Sequence, residues 1–397
     1  MSNFHEANRM KRLPPYLFTI IDEFKAKARK RGVDLIDLGM GNPDLAAPPH
    51  AIEALHESLK DHENHRYSKK SGVVETRLRE AIAYWYKDRF NVVLDPDTEV
   101  LPLIGSKEGV AHLSLSFLNN DDIALVVSPT YPVHFNGVIM AGGILYNLPL
   151  KPENNYLPDI DHIDNHILSR SKLFYFSYPH NPTAATCDLA FFEKVARWAK
   201  KNNIIVGHDN AYSDIVFDGH KSPSFLQAKY ARDIGIEFHT FSKSYNMPGW
   251  RVGYAVGNAE ILAILEKTKS YIDYGVFRGI QSAAAAVLTG PQDCVRQTVE
   301  IYGRRIALFC EGLNSIGWEV TKPRATFYVW VRIPLKFSGL TSLEFTKLMI
   351  EETGVAAAPG TGFGECGEGY VRFAMVEPEE RLKQAVERLG TLLHIQT

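Results

Sequence analysis

The middle of the chain alternates between two periods of hydrophobic and polar positions. Short runs rich in β-branched and aromatic residues, typical of strands, are separated by longer segments with apolar residues at helical spacing. Regular alternation of this kind predicts a largely parallel sheet covered by helices on both faces. The predicted strands are 100–104, 123–127, 145–150, 173–178, 204–208, 238–241 and 251–256, and the helices between them are 107–117, 131–140 and 189–202.

The segments on either side of this region have a different pattern. After Gly290, a long helical segment is followed by short extended runs and two further helices. This change predicts a large domain at 45–290 and a smaller α+β domain formed by 1–44 and 291–397. The elements predicted toward the two ends are a helix ending at Gly32, a strand at 34–38, helices at 49–59, 73–90 and 292–313, extended runs at 318–320, 326–331, 355–358 and 370–375, a helix at 342–353 and a last helix from Pro378.

Composition and charge exclude several classes of partner. Hydrophobic residues make up 45% and charged residues 23% of the 397 residues, as in ordinary soluble globular proteins. The formal net charge is -2, so neither nucleic acid nor an anionic membrane surface is expected as a partner. No apolar run approaches the ~18 residues that a membrane helix needs, and the first residues lack the pattern of a secretory signal.

The cysteines indicate a cellular compartment. They are widely separated and form no CxxC pair, which predicts a reducing environment and no zinc site, and hence a cytoplasmic protein. The four cysteines are Cys187, Cys294, Cys310 and Cys366.

A lysine follows one of the predicted strands. The alternating run 237–241 predicts a strand with one buried face, and the breakers Asn246, Pro248 and Gly249 come soon after Lys243. Lys243 is therefore expected on a loop at the carboxyl end of a strand, where open α/β sheets build binding sites.

This lysine could act as a nucleophile. Desolvation disfavours the ammonium form, and a neutral amine can attack a carbonyl to form a Schiff base. The alternative is that Lys243 is one of many exposed surface lysines. The neighbours expected to desolvate it are Thr240, Phe241, Tyr245 and Trp250.

Polar side chains also follow two other predicted strands. Asp209 ends the strand at 204–208, and a carboxylate there could pair with a protonated ring nitrogen, while Tyr212 could hydrogen-bond a phenolate oxygen. The two prolines around Asn181 fix the backbone, so its amide would point in one direction. The structural alternatives are a helix N-cap for Asp209 and an Asn-Pro turn for Asn181.

Two segments could bind anions. Ser106 and Lys107 join a strand to a helix, whose first N–H groups and dipole attract negative charge; alternatively, Ser106 only caps the helix. Arg372 lies on the strand face opposite Val371 and Phe373, where its guanidinium could hold a carboxylate with two parallel bonds. The alternative is an exposed strand arginine.

Gly41 and Tyr131 could shape the same site. Gly41 lies in the loop GMGNPD, where the absence of a side chain lets the backbone approach a ligand. Tyr131, in SPTYP, could stack on an aromatic ring, although core packing is the alternative use.

Two patterns are rejected as sites. Residues 362–367 fit GxGxxG but lead into a strand and not a helix, so the dinucleotide interpretation lacks its required context; we expect a flexible loop over a site. His62 and His65 are interpreted as solvated residues and not as metal ligands, and no metal site is predicted.

The order of these residues resembles the class I aminotransferases of fold type I, which depend on pyridoxal 5′-phosphate (PLP). The strings SKSYNMPGWRVG, HDNAY and NPTAA carry the resemblance in combination, and it covers nearly the whole chain. Within that superfamily, LPPYLF, MGNPD, YSKKSG and SKSYNM look closest to the bacterial glutamate–pyruvate (alanine) aminotransferases of the AlaC type. The LL-diaminopimelate and aspartate aminotransferases look further off.

The resemblance implies a fold, a cofactor and a role in amino-acid biosynthesis. The fold would be the α/β PLP-dependent transferase fold of type I, with a mostly parallel seven-stranded sheet between helices in the large domain and a smaller α+β domain. The enzyme would transfer an amino group between an L-amino acid, alanine or glutamate, and a 2-oxo acid, pyruvate or 2-oxoglutarate. Lys243 would form the Schiff base with the cofactor and move the α-proton.

It also implies roles for the other residues. Asp209 would pair with the pyridine nitrogen, Asn181 and Tyr212 would bond the ring's O3′, and Tyr131 would stack on the ring. Tyr67 would reach the phosphate of the neighbouring subunit, so a homodimer is expected. The residues implied at the phosphate are Ser106, Lys107, Thr240, Ser242 and Arg251, and those implied at the substrate carboxylate are Gly41, Asn181 and Arg372.

The chain departs from the family pattern in two places. Thr240 stands where many relatives carry serine, and its hydroxyl could serve equally. Dicarboxylate-specific relatives use a partner-subunit arginine near the position of Tyr271; Arg278 is close, but its register does not match, which argues against strong aspartate specificity.

Other functions stay open at this point. The same fold could act on LL-diaminopimelate, aspartate or aromatic amino acids. A non-catalytic PLP-fold sensor is disfavoured because Lys243, Asp209 and Arg372 are all present. A nicotinamide dehydrogenase rests only on the rejected glycine pattern.

Overall fold

A computed structural model describes residues 4–15 and 17–394; residues 1–3, 16 and 395–397, which belong to the predicted small-domain segments, lie outside the described part. The strands are β1 (Ile36–Asp37), β2 (Val100–Leu103), β3 (Ile123–Ser128), β4 (Ile144–Pro149), β5 (Ser171–Phe176), β6 (Ile205–Asp209), β7 (Gly235–Thr240), β8 (Gly253–Gly257), β9 (Tyr328–Arg332), β10 (Val355–Ala356), β11 (Ala358–Pro359) and β12 (Tyr370–Ala374). The helices are α1 (Asn8–Lys11), α2 (Leu17–Lys30), α3 (Pro49–Ser58), α4 (Val73–Phe90), α5 (Ser106–Phe117), α6 (Val133–Ala141), α7 (Asn165–Leu168), α8 (Leu189–Asn202), α9 (Ala231–Ile234), α10 (Phe241–Ser244), α11 (Ala259–Ser270), α12 (Arg278–Thr289), α13 (Asp293–Ser315), α14 (Ser342–Thr353) and α15 (Glu379–His394).

The large domain is built on the sheet that the alternating pattern predicts. Its seven strands lie in the order β2-β8-β7-β6-β5-β3-β4. Strands β3 to β7 run parallel, and β8 is antiparallel to both of its neighbours. The mostly parallel seven-stranded sheet of fold type I is therefore confirmed, and the carboxyl ends of its parallel strands lie at one edge.

One strand is more buried than its sequence indicates. The run 237–241 was expected to bury one face, but Glu237 and Phe238 on opposite faces are both 0% exposed. Phe238 packs with apolar residues of α5 and α11, whereas Glu237 faces Tyr86 of α4. The prediction of a half-buried strand is wrong because a charged side chain that finds buried hydrogen-bond partners looks the same in sequence as an exposed one.

Two twelve-residue helices of the large domain, α11 and α12, were not predicted, nor were the four-residue helices α7, α9 and α10. Helix α11 follows β8, and α12 packs against α3 and α4. Its sequence, RGIQSAAAAVLT, contains few large apolar residues, and its small residues Ala283, Ala284 and Ala285 are buried. A search for large apolar residues at helical spacing therefore passes over this segment.

The small domain joins both ends of the chain. A three-stranded antiparallel sheet, β11-β12-β9, packs with α13, α14 and α15, while β1 pairs in parallel with β10. Helix α2 packs on α14 through Ile21, Ala28 and Ile350. The extended run expected at 318–320 forms no strand. The predicted domain limits stay a prediction.

The first described residues also touch the large domain. Helix α1 lies near α6, and Arg12 donates from Nη2 to the carbonyl of Gly143 over 2.8 Å. Among the described helices, none combines the length and the apolar character needed to cross a membrane.

Candidate active site

The predicted site residues meet in a pocket of about 250 Å³ where the strands of the large sheet end and the small domain begins. Strands β2, β3, β5, β6 and β7 deliver side chains from their carboxyl ends, as expected for an open α/β sheet. Because β8 is antiparallel, the residues before it return to the same edge. The pocket is lined by Met40, Gly41, Asn42, Gly105, Ser106, Lys107, Tyr131, Ser177, Asn181, Asp209, Ala211, Tyr212, Thr240, Ser242, Lys243, Pro248, Arg251, Tyr328 and Arg372.

Lys243 lies in the short helix α10 directly after β7, and not on the loop that was expected. Its Nζ donates to the carbonyl oxygen of Gly41 over 2.7 Å. Burial lowers the pKa of Lys243, although the nearby hydroxyl of Tyr328 opposes this shift. Burial thus makes the ammonium form of Lys243 less favourable, and because the lysine lines the pocket, the surface-lysine alternative is wrong.

The groups that surround Lys243 differ from those expected. Its Nζ lies 5.4 Å from the ring centre of Phe327 and 6.0 Å from that of Tyr212. Phe241 and Tyr245 instead pack in the core of the large domain, because the turn of α10 directs them away from the pocket. The environment of the lysine therefore combines residues distant in sequence with Thr240, the only one of the four expected neighbours among the described lining residues.

Asp209 has one free and one bonded carboxylate oxygen. His134 Nε2 lies 3.2 Å from Oδ2, and His134 Nδ1 lies 2.7 Å from Thr130 Oγ1. The other oxygen, Oδ1, is buried and has no hydrogen-bond partner in the described structure. An oriented carboxylate with one unsatisfied oxygen is suited to accept a hydrogen bond from a ligand.

Ser106, Lys107 and Arg251 form a cradle for an anion. Ser106 and Lys107 begin the twelve-residue helix α5, whose first N–H groups are available to a ligand. Gly105 has φ +78, and a Cβ there would lie 2.7 Å from Arg251 Nη2, so a larger residue would obstruct the arginine. Desolvation and then the charge of Arg251 lower the pKa of Lys107. Two cations this close favour an anion between them.

Two hydroxyls complete the wall of this cradle. Thr240 Oγ1 donates to Ser242 Oγ over 2.9 Å and also accepts from the Ser242 N–H, so Thr240 caps α10. Both residues line the pocket, and the threonine that replaces the serine of many relatives keeps its hydroxyl at this position.

Arg372 reaches the pocket from β12 of the small domain. It is 3% exposed, which contradicts the alternative of an exposed strand arginine. Nη1 donates to Asn181 Oδ1 over 2.7 Å and Nη2 to the Gly39 carbonyl over 2.9 Å. The guanidinium lies between the rings of Tyr328, at 4.0 Å, and Phe363, at 4.5 Å. This packing holds the fork in one orientation.

Tyr67 and Arg278 lie outside the pocket. Tyr67 is 75% exposed, and its ring packs 5.0 Å from that of Tyr274. Arg278 is bonded to Glu75 Oε1 and to the carbonyl of Glu63, so its guanidinium is already engaged within the chain. The role of Tyr67 in a neighbouring subunit stays a prediction.

The glycine pattern lies in two short 3₁₀ helices, Gly360–Phe363 and Glu365–Gly367. They lead into the strand β12 and not into an α-helix, so the predicted context of the pattern is confirmed. The N–H of Thr130 bonds the carbonyl of Phe363 over 2.7 Å, which fastens this segment beside the pocket. His62 and His65 lie in a 3₁₀ helix, and neither belongs to the one cluster of metal-ligand spacing found in the described part.

Several residues of the site were not predicted. Tyr328 and His134 have no local motif, since one lies within an ordinary strand and the other within an apolar helix. Thr130, whose hydroxyl bonds His134, precedes α6, so helical spacing does not relate the two residues. The others are Met40, Asn42, Gly105, Ser177, Ala211 and Pro248.

The residues present fit the cofactor that the resemblance implies. The anion cradle at the start of α5 suits a phosphate group, and the unbonded Asp209 Oδ1 suits a protonated pyridine nitrogen. The amine of Lys243 lines the same cavity and suits an aldehyde. PLP carries all three complementary groups.

Comparison with known proteins gives the family. The family model described as "Aminotransferase class I and II" matches residues 33–389. An LL-diaminopimelate aminotransferase of Moorella thermoacetica is 46% identical over 388 residues, 98% of each chain. The glutamate–pyruvate aminotransferase AlaC of Escherichia coli is 45% identical over 384 residues, 97% of this chain and 93% of that one. The apo-BacF structure from Bacillus subtilis has a TM-score of 0.93, with 39% identity over 98% of both chains.

These similarities confirm the resemblance to AlaC-type enzymes but do not separate them from the LL-diaminopimelate enzymes. The relatives of the two kinds named above differ by one per cent in identity, so the expectation that LL-diaminopimelate enzymes lie further off is not supported. The match over most of the chain, together with the pocket, shows that the chain belongs to the class I/II aminotransferases, which are PLP-dependent enzymes.

Proposed function

We propose that the enzyme transfers an amino group between L-alanine or L-glutamate and pyruvate or 2-oxoglutarate. The observation that carries the proposal is the position of Arg372 and Lys243 in one pocket, which supplies a carboxylate fork beside an amine. Among the described lining residues, the only other guanidinium is that of Arg251, which belongs to the anion cradle. This supports alanine and pyruvate as one substrate pair, and it leaves the second carboxylate of glutamate without a guanidinium partner among these residues.

The residues of the pocket divide the work of the reaction. Bound PLP supplies an electron sink for the charge left when the α-proton departs. Lys243 would hold the cofactor and move a proton at the substrate Cα. Asp209, which His134 orients, would keep the ring nitrogen protonated, and Asn181 and Tyr212 would bond the phenolic oxygen.

The remaining groups bind and orient. Ser106, Lys107, Thr240, Ser242 and Arg251 hold the phosphate through the cradle. Tyr131, which lines the pocket, would cover one face of the ring. Arg372, together with Gly41 and Asn181, fixes the substrate carboxylate, so that the Cα–H bond lies near Lys243.

LL-Diaminopimelate is a second candidate amino donor. The observation that favours it is the 46% identity to a relative named for that substrate. A longer donor would need groups beyond those that line the pocket within one chain. A homodimer in which Tyr67 reaches the neighbouring phosphate is part of the proposal, as is a cytoplasmic location.

The donor is tested with the purified PLP-loaded enzyme. Single amino acids are added, the loss of the Schiff-base absorbance is followed, and kcat/KM is then measured for L-alanine, L-glutamate, LL-diaminopimelate, L-aspartate and L-phenylalanine. We expect alanine and glutamate to react at least about tenfold better than the others, a difference of ~1.4 kcal/mol. A dominant preference for LL-diaminopimelate would replace the first candidate by the second. Lys243→Ala serves as the control and should lose multiple turnovers.

A further inference from the structure

Tyr328 occupies the junction between three groups of the site. It lies on β9 and is 2% exposed, yet it lines the pocket. Its hydroxyl lies 2.8 Å from the hydroxyl of Tyr212, and its ring lies under the guanidinium of Arg372. A Cβ at Gly41 would lie only 2.0 Å from the same hydroxyl, so Tyr328 fills the space that a side chain would need there.

The direction of the bond between the two phenols follows from a count of protons. Each phenol has one O–H to donate, and only one proton can lie between the two oxygens. If Tyr212 donates its proton into the pocket, Tyr328 must be the donor to the Tyr212 oxygen. A phenol that accepts a hydrogen bond becomes a stronger donor, because bonds in a chain polarise one another, and the low dielectric of a buried site strengthens the effect.

We propose that Tyr328 is a positioning residue with two separable functions: its hydroxyl donates to Tyr212 and strengthens the bond that Tyr212 makes to the cofactor, and its ring holds Arg372 against the substrate carboxylate. The inference rests on the role of Tyr212 in the proposed function. It concerns residues of this chain only and applies whichever amino acid is the donor.

The two functions predict different consequences. Loss of the hydroxyl weakens a bond to the phenolic oxygen of the cofactor, so the acidic form of the bound chromophore should persist to higher pH. Loss of the ring removes the cation–π contact at 4.0 Å, so Arg372 should become less well oriented and substrate binding should weaken.

The test compares Tyr328→Phe and Tyr328→Leu in the PLP-loaded enzyme. The first readout is the pH at which the absorbance of the cofactor held by Lys243 changes, measured without substrate; the second is the pair kcat and KM. For Tyr328→Phe we expect the midpoint to rise by roughly half a unit to one unit, less than for Tyr212→Phe, with little change in KM. For Tyr328→Leu we expect KM also to rise about tenfold.

Tyr302→Phe is the matched control. Tyr302 is also a buried tyrosine that packs on Phe327, but its hydroxyl has no hydrogen-bond partner in the described structure, so neither readout should move. A midpoint that moves in Tyr212→Phe but not in Tyr328→Phe would overturn the function of the Tyr328 hydroxyl and leave the role of Tyr212 intact. No movement in Tyr212→Phe would overturn both. Equal KM values in the Phe and Leu variants would overturn the function of the ring.

Discussion

At the scale of single residues, the site depends on charged side chains whose orientation is fixed by their neighbours. Arg372 makes its two bonds to Asn181 and Gly39 and is stacked between two rings. Its remaining nitrogen, Nε, is buried and has no hydrogen-bond partner in the described structure. Replacing this arginine by lysine would weaken carboxylate binding. Lysine can neither stack between the two rings in the same way nor bond a carboxylate with two parallel N–H groups.

Arg372→Lys should therefore weaken substrate binding while the charge is kept. We expect KM for the amino acid and for the 2-oxo acid each to rise about ten- to hundredfold, equivalent to ~1.4–2.8 kcal/mol. Steady-state kinetics measure this, and Arg332→Lys, an exposed change on β9 of the same sheet, is the control. An unchanged KM would show that Arg372 does not hold the carboxylate.

Much of the site at this scale is readable in the sequence. Lys243, Asp209, Asn181 and Arg372 stand at strand ends or in strands beside distinctive local strings, and the fold brings all four into one pocket. Tyr328 has no such string. Its importance comes from neighbours far away in the chain, and single-sequence patterns contain no information on such contacts.

At the scale of elements, a buried charge joins two strands and a helix. Glu237 of β7 accepts hydrogen bonds from Tyr86 of α4, from His208 of β6 and from Ser224. His208 Nε2 also lies 3.1 Å from the N–H of Tyr178, just before the loop that carries Asn181. The network therefore connects the core of the sheet to the site. Its partners are dispersed along the chain, which is why the sequence suggested only an alternating strand.

Glu237→Gln should destabilise the protein in a pH-dependent way. Burial raises the pKa of Glu237, but hydrogen bonds from His208 and His239 outweigh it and hold the pKa well below the usual 4.5. The ionised carboxylate therefore adds to the free energy of unfolding. Its contribution is fully present above pH 4.5, the usual pKa of a glutamate, and is lost as the pH falls through the lowered pKa of the folded state. At pH 7 we expect the variant to lose about 2–4 kcal/mol of unfolding free energy.

Urea denaturation of both proteins at a fixed protein concentration, from pH 7 down to pH 3, measures this difference. The difference between wild type and variant should shrink below pH 4.5. Glu319→Gln, at an exposed position, should differ little from wild type throughout. A difference independent of pH would mean that the ionisation of Glu237 does not contribute.

At the scale of the whole molecule, one chain builds the pocket except for the contact assigned to Tyr67. That residue is exposed on a segment away from its own pocket, whereas Lys243, Asn181 and Arg372 are mutually close within the chain. In the homodimer proposed above, Tyr67 would serve the neighbouring site.

Mixed dimers test this arrangement. Tyr67→Ala and Lys243→Ala subunits, each weak or inactive alone, should recover about a quarter of the wild-type activity after denaturation together and refolding, because half of the dimers are mixed and each has one intact site. The control pair is Arg372→Ala with Lys243→Ala. Both of these residues serve the same chain, so this pair should recover nothing. No recovery by the first pair would show that Tyr67 does not act across subunits.

The pairing of the two chain ends has a consequence for how the protein is made. Asp34, beside β1, is held by Arg381 of α15, 347 residues later. Synthesis proceeds at about 5–20 residues per second, so the N-terminal segment waits on the order of 20–70 s for this partner. During that interval the sheet of the large domain can form, while the apolar face of α2 remains uncovered until α14 emerges. The apolar face of α2 is therefore exposed on the nascent chain until α14 has been synthesised.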